Sequence, residues 1–199
     1  PKTLITVPLD EPGYVISQIK NDGFIKVNPI GFGHIGNLYH QFLQGHEVVI
    51  STDTESLTAI STVPSAHFEG VRINQERKKM PFNWQEIYID LGADSASELI
   101  SRNIQLLDPV TLNKKPAIIN SSFIAAPSIK SKTAAIALAM VAKSIKESDI
   151  NGTVVVAWTA LELLNGKGIE AVINNYGPFN KIHRFNRFLE SEVIGKQTL

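Results

Sequence analysis

Apolar residues fall in short runs along most of this chain, and the spacing within those runs changes twice. Residues 4–9 form one apolar run of strand length. Residues 14–19 and 24–30 are two β-rich segments joined by Lys20-Asn21-Asp22-Gly23. Asp-Gly between alternating apolar runs predicts a hairpin, because those residues accept the backbone angles of a tight turn. Gly31-Phe32-Gly33-His34-Ile35-Gly36 then breaks the pattern as a loop or hinge does. From Gly45 onward the pattern predicts short strands at 46–51, 57–63, 70–74 and 84–91. Gly92-Ala93-Asp94-Ser95 ends the last of them, and Ser95 with Glu98 three residues on caps a short helix. Asp108-Pro109 turns into a further strand, and residues 117–124 read as one more.

The period becomes helical at residues 130–145, where Ile136, Ala137, Met140 and Val141 recur on one face at three- and four-residue spacing. Ser128 is placed to cap that helix. After a turn at Asp149-Ile150-Asn151-Gly152, residues 153–159 (TVVVAWT) are almost continuously apolar. Such a run suits a strand buried on both faces of a mixed or parallel sheet. Residues 168–175 predict a helix, and 181–189 fit a strand or a final helix equally. The chain therefore reads as α/β: a mixed sheet with helices, made of residues 1–41 plus 124–199, interrupted by an inserted small β-barrel-like domain at 42–123. It contains no internal repeats.

Composition narrows the function classes. The 199 residues include 19 basic and 19 acidic side chains, a formal net charge of zero. A general nucleic-acid binder needs clustered cations to neutralise phosphates, so no nucleic-acid partner is expected; Arg77-Lys78-Lys79 reads as a solvated loop. No apolar run approaches the roughly 20 residues of a membrane-spanning helix, so no membrane partner is expected either, and the expected location is cytoplasmic. The absence of cysteine excludes disulfides, thiolate nucleophiles and Cys-based zinc sites. The opening Pro-Lys-Thr-Leu, without Met, reads as an excised or processed piece of something longer. Asn120-Ser121-Ser122 and Asn151-Gly152-Thr153 match the glycosylation triplet and are read as chance.

Several segments, in order, resemble one family. Leu9-Asp10-Glu11-Pro12-Gly13-Tyr14 is similar to a His-x-Asp-Glu-Ile-Gly-Phe signature, and the Asp22-Gly23 hairpin follows it. Residues 45–50 resemble a Gly-Gln-x-Val-x-Ile entry to an inserted domain. Ile87-Tyr88-Ile89-Asp90-Leu91-Gly92-Ala93 and Leu107-Asp108-Pro109-Val110 match further motifs within it. Ser128-Ile129-Lys130 heads a helix and Thr159-Ala160-Leu161-Glu162 ends a strand at the right separation. Together these resemble the tetrahedral and glutamyl aminopeptidases, peptidase family M-forty-two, also called endoglucanase-M-like.

The resemblance implies an aminopeptidase-like (phosphorylase/hydrolase-like) fold and a reaction that removes a peptide's N-terminal residue with two zinc or cobalt ions and a Glu general base. The matching positions depart from that chemistry one by one. Pro8 stands where the family has a metal-binding His, and proline offers no donor. Asp10 matches the acid that orients that His. Lys130 stands where an Asp bridges both metals. Glu162 keeps the general-base position, and Leu163 replaces the ligand beside it. An Asp ligand expected within 181–185 is missing, and the last His ligand falls beyond residue 199. Lys130 is expected to pair with Glu162 as an ion pair in place of a metal.

Other site readings are weaker. His34, His40, His46, His67 and His183 show no ligand spacing, Ser128 and Ser131 lack a Ser-x-x-Lys arrangement, and Gly31-Phe32-Gly33 is too short for a dinucleotide loop. Two function classes follow. One is a catalytically inactive relative with a binding or assembly role, without cofactor, forming a homo-oligomer and taking a peptide or protein partner. The other is a metal-dependent hydrolase with a displaced site.

Overall fold

A computed structural model describes residues 1–31, 37–63 and 83–185, without the side chains of residues 37–39 and 130. In chain order its strands are β1 (Lys2–Pro8), β2 (Gly13–Ile19), β3 (Ile25–Ile30), β4 (Glu47–Ser51), β5 (Ser56–Thr62) and β6 (Tyr88–Asp90). They continue with β7 (Pro109–Leu112), β8 (Ala117–Ile119), β9 (Phe123–Ala125), β10 (Thr153–Thr159) and β11 (Lys181–Arg184). The helices are α1 (Ala96–Ser101), α2 (Ile129–Ser144) and α3 (Lys167–Tyr176). Contacts divide the chain into two compact units, residues 12–114 and residues 1–11 with 115–199. The expected boundaries at 41/42 and 123/124 are corrected to 11/12 and 114/115. The hairpin of β2 and β3 belongs to the insert because β2 pairs with β7 and β3 with β6.

Residues 12–114 form a closed barrel in the order β2-β3-β6-β5-β4-β7. Closure comes from the antiparallel pairing of Tyr14 with Val110, and a closed sheet leaves no edge strand open to other chains. Alternation puts Ile16, Val27, Val48, Ile50, Ile89 and Val110 inside, all buried. The predicted turn is present: Lys20 N–H donates to the Phe24 carbonyl at 2.9 Å and Gly23 has φ +81°. A side chain on Gly23 has no room, since a Cβ there would lie 1.8 Å from the Ala93 carbonyl oxygen. Ser95 caps α1 as expected: its Oγ accepts from the Glu98 N–H at 3.3 Å, and the Glu98 carboxylate accepts from the Asp94 N–H at 3.1 Å. The expected strand over 84–91 is instead a 3-10 turn at Trp84–Glu86 followed by the three residues of β6. The possible strand at 70–74 and Arg77-Lys78-Lys79 lie outside the described residues.

The other unit carries a three-stranded sheet ordered β10-β1-β11, with both pairings parallel. Val7 on β1 packs against Ala134 and Leu138 of α2. That is a different face of α2 from the one carrying Ile136, Met140 and Val141, which are at least half exposed. β10 is a strand of a parallel sheet, one of the two expected types, but the expected burial on both faces is corrected: its Val residues are half-buried, because it lies at one side of the described sheet. Ser128 sits at the N-cap of α2 with φ +50° and makes no side-chain capping bond, so the expected cap is corrected. The single strand expected over 117–124 is a two-stranded hairpin, turned by Asn120 (φ +49°) and Ser121 (φ +56°). The segment from residue 181 is a strand as far as Arg184. No helix among the described residues is long and apolar enough to cross a membrane.

One buried titratable group sets a pH dependence for the barrel. His40 is buried, its Nδ1 lies 2.8 Å from the Tyr14 hydroxyl, and its ring packs near Trp84. Burial pushes its pKa below the ordinary value, because the charged form loses its hydration. The unfolded chain therefore binds the proton more readily, and stability is lost progressively as pH falls below the ordinary value of 6.5. Urea unfolding of the wild type should show a lower midpoint at pH 5.5 than at pH 7.5, and His40→Phe should shrink that difference. An unchanged difference in the variant contradicts the assignment.

Candidate functional site

In parallel α/β sheets, ligands gather at the carboxyl ends of the strands, where the chain leaves the sheet for loops. Here β1 ends at Pro8, β10 at Thr159 and β11 at Arg184, and these ends lie side by side. Pro8 is the Cα partner of Thr159, and Thr6 that of Arg184. The neighbouring strands stay bonded past their ends: Leu9 N–H donates to the Thr159 carbonyl and Phe185 N–H to the Thr6 carbonyl, both at 2.8 Å.

The residues after β10 turn sharply into α3. Leu161 (φ +62°) and Asn165 (φ +59°) are left-handed, a conformation that costs a non-glycine residue of order 1 kcal/mol. Asp10 holds that turn. Its Oδ1 accepts from the Leu161 N–H at 3.0 Å and its Oδ2 from the Leu163 N–H at 3.1 Å, one bond on each side of Glu162. The sequence reading gave Asp10 a missing histidine as its client; the structure gives it the backbone of the Glu162 turn.

Glu162 is a buried carboxylate, with its side chain 3% exposed. Its Oε1 accepts from the Ile169 N–H at 2.7 Å, in the first turn of α3, where the helix dipole favours an anion. Its Oε2 accepts from Nη2 of Arg184 at 2.6 Å. The expected partner, Lys130, is the second residue of α2, and its side chain lies outside the description. Arg184 was missed by the sequence reading, although it stands within the 181–185 stretch where the resemblance implies an acidic ligand. The available signal was that opposite sign. Gly168 completes the turn: a Cβ there would lie 1.9 Å from the Ala160 carbonyl oxygen and 2.9 Å from Glu162 Oε1. Nearby, Lys132 lies 3.7 Å from Glu11, and both are partly exposed, a pair of small energetic weight.

The structure thus brings Pro8, Asp10, Glu162, Leu163 and Arg184 to one end of the sheet. A pair of divalent ions needs several free anionic or imidazole donors converging on it. Pro8 and Leu163 have no donor atoms. Both oxygens of Asp10 are engaged by backbone N–H groups, and both of Glu162 by Ile169 and Arg184. This donor set does not fit a two-metal centre. His40 and His183 belong to separate units, His46 is exposed with its Nδ1 3.0 Å from the Gln44 carbonyl, and His34 and His67 lie outside the described residues.

Comparison with known proteins gives concordant matches. The family model described as M42 glutamyl aminopeptidase matches residues 1–180. SgcX of Escherichia coli strain K12, whose name gives aminopeptidase as a provisional activity, is 24% identical over 177 residues, covering 89% of this chain and 45% of that protein. FrvX of the same organism, similarly named, is 27% identical over 109 residues, covering 53% and 28%. Among solved structures, the TET1 peptidase of Pyrococcus horikoshii superposes with a TM-score of 0.72 at 22% identity, covering 93% of this chain and 52% of that one. Aminopeptidase APDkam598 of Desulfurococcus kamchatkensis gives 0.69 at 21%, covering 89% and 45%. The chain spans less than half the length of these curated relatives.

Asp10→Asn tests the site's construction. An amide can accept only one of the two N–H bonds, so the variant should lose about 1–2 kcal/mol in urea unfolding. Gly168→Ala should lose at least as much through overpacking. Wild-type stability in both variants contradicts the described turn.

Proposed function

This chain belongs to the M42 glutamyl aminopeptidase family, and from that premise we propose that it is a non-catalytic member with a binding or assembly role. One observation carries the reading: the positions matched to the family's metal ligands hold no side-chain donor (Pro8, Leu163) or a cation (Lys130), and the matched base Glu162 is a carboxylate already engaged by Arg184 and the Ile169 N–H. Peptide hydrolysis at neutral pH needs a polarised carbonyl and an available hydroxide. Bound zinc makes that hydroxide by lowering the pKa of water to about 7. A carboxylate without a metal is too weak a base to generate hydroxide from free water.

Assembly into a homo-oligomer is the second element of the proposal. The TET1 peptidase of Pyrococcus horikoshii is described as assembling into a tetrahedron or a large octahedral shell. This chain exposes apolar side chains in both units: Ile100, Leu106 and Leu107 beside the barrel, and Ile118, Ile124 and Met140 in the other unit. Ile118 and Ile124 are cross-strand partners on the β8–β9 hairpin, so their exposed side chains adjoin, an arrangement that favours burial against another protein surface.

Two measurements test the proposal. Incubation with aminoacyl-anilides and added zinc or cobalt should release no amino acid; turnover that disappears in Glu162→Gln contradicts a non-catalytic role. Light scattering at micromolar concentration should give at least twice the 21.9 kDa of one chain, and a strict monomer contradicts the assembly.

A further inference from the structure

We propose that Arg184 is a built-in cation for Glu162, so that the turn from β10 into α3 is held by the chain's own charges and takes no metal ion. This rests on the non-catalytic reading and deepens it. A carboxylate that is 3% exposed is costly unless it is both paired and hydrogen-bonded. Glu162 meets both conditions within the chain, through Arg184 Nη2 at 2.6 Å and the Ile169 N–H at 2.7 Å. The guanidinium keeps its charge at any working pH and offers a planar set of donors, so it neutralises the carboxylate permanently.

The pair also joins distant parts of the unit. Arg184 comes from the last residue of β11, 22 positions after Glu162, and β11 is held to β1 by parallel pairing. Asp10 ties the same turn to the end of β1. Two carboxylates, Glu162 and Asp10, thus link the ends of all three strands to the start of α3. A divalent ion approaching Glu162 meets a fixed positive charge and a carboxylate with both oxygens engaged. It would have to displace Arg184 and leave that side chain without its partner.

A double-mutant cycle read by thermal unfolding tests the assignment, with wild type, Arg184→Met, Glu162→Gln and the double variant each measured in EDTA and in zinc chloride. Wild type should melt at the same temperature in both solutions. Arg184→Met should lower the melting temperature by roughly 5 °C, because it strands a buried carboxylate. The double variant should regain part of that loss, since it removes the stranded charge. Additive losses in the double variant overturn the assignment, as does a zinc-induced rise in wild type that vanishes in Glu162→Gln. The two readings fail separately: an additive cycle removes the role of Arg184 and leaves the non-catalytic reading standing, whereas Glu162-dependent turnover of a peptide substrate removes the non-catalytic reading itself.

Discussion

The sheet-bearing unit depends on keeping one carboxylate satisfied out of water. Glu162 is buried at the point where β10 gives way to α3, and an anion there must be neutralised and hydrogen-bonded. Arg184 supplies the charge and the first turn of α3 supplies a backbone donor. Other features of the unit follow from that need. The turn must pass through left-handed residues to bring Glu162 beside the helix start, and Asp10 holds it there by two backbone bonds. Gly168 is fixed because any side chain would strike the Ala160 carbonyl and Glu162 itself.

The barrel answers a different constraint. Its short strands cannot each bury enough surface alone, and closing them into a ring gives every strand two neighbours and one shared core. Within that core, His40 and Tyr14 form a buried polar pair. The cost of such a pair is tolerable because the hydroxyl and the ring nitrogen satisfy each other.

Local signals were legible in the sequence, and long-range ones were not. Asp22-Gly23 located the hairpin because tight-turn chemistry is local, and Ser95 with Glu98 located the start of α1 for the same reason. The apolar run at 153–159 announced a strand of a mixed or parallel sheet, but not that its side chains would be only half-buried. The insert's boundary was misplaced because β2 and β3 find their outer partners at Val110 and Ile89, far along the chain. Periodicity identified α2 but not which of its two apolar faces packs: Ala134 and Leu138 face the core, while Ile136 and Met140 do not. The 117–124 run concealed a turn because Asn120 and Ser121 adopt left-handed angles inside an apolar stretch. In the site, Pro8, Asp10, Glu162 and Leu163 were all legible as positions. Which group neutralises Glu162 was not, since that depends on how β11 aligns beside β1.

In the proposal above, the Glu162–Arg184 pair stands where the family's chemistry calls for metal. Elemental analysis measures this most directly: the purified protein is incubated with excess zinc or cobalt, dialysed and assayed for bound metal alongside Glu162→Gln. The account predicts far less than one ion per chain in both. Stoichiometric metal in the wild type, lost in Glu162→Gln, would contradict it.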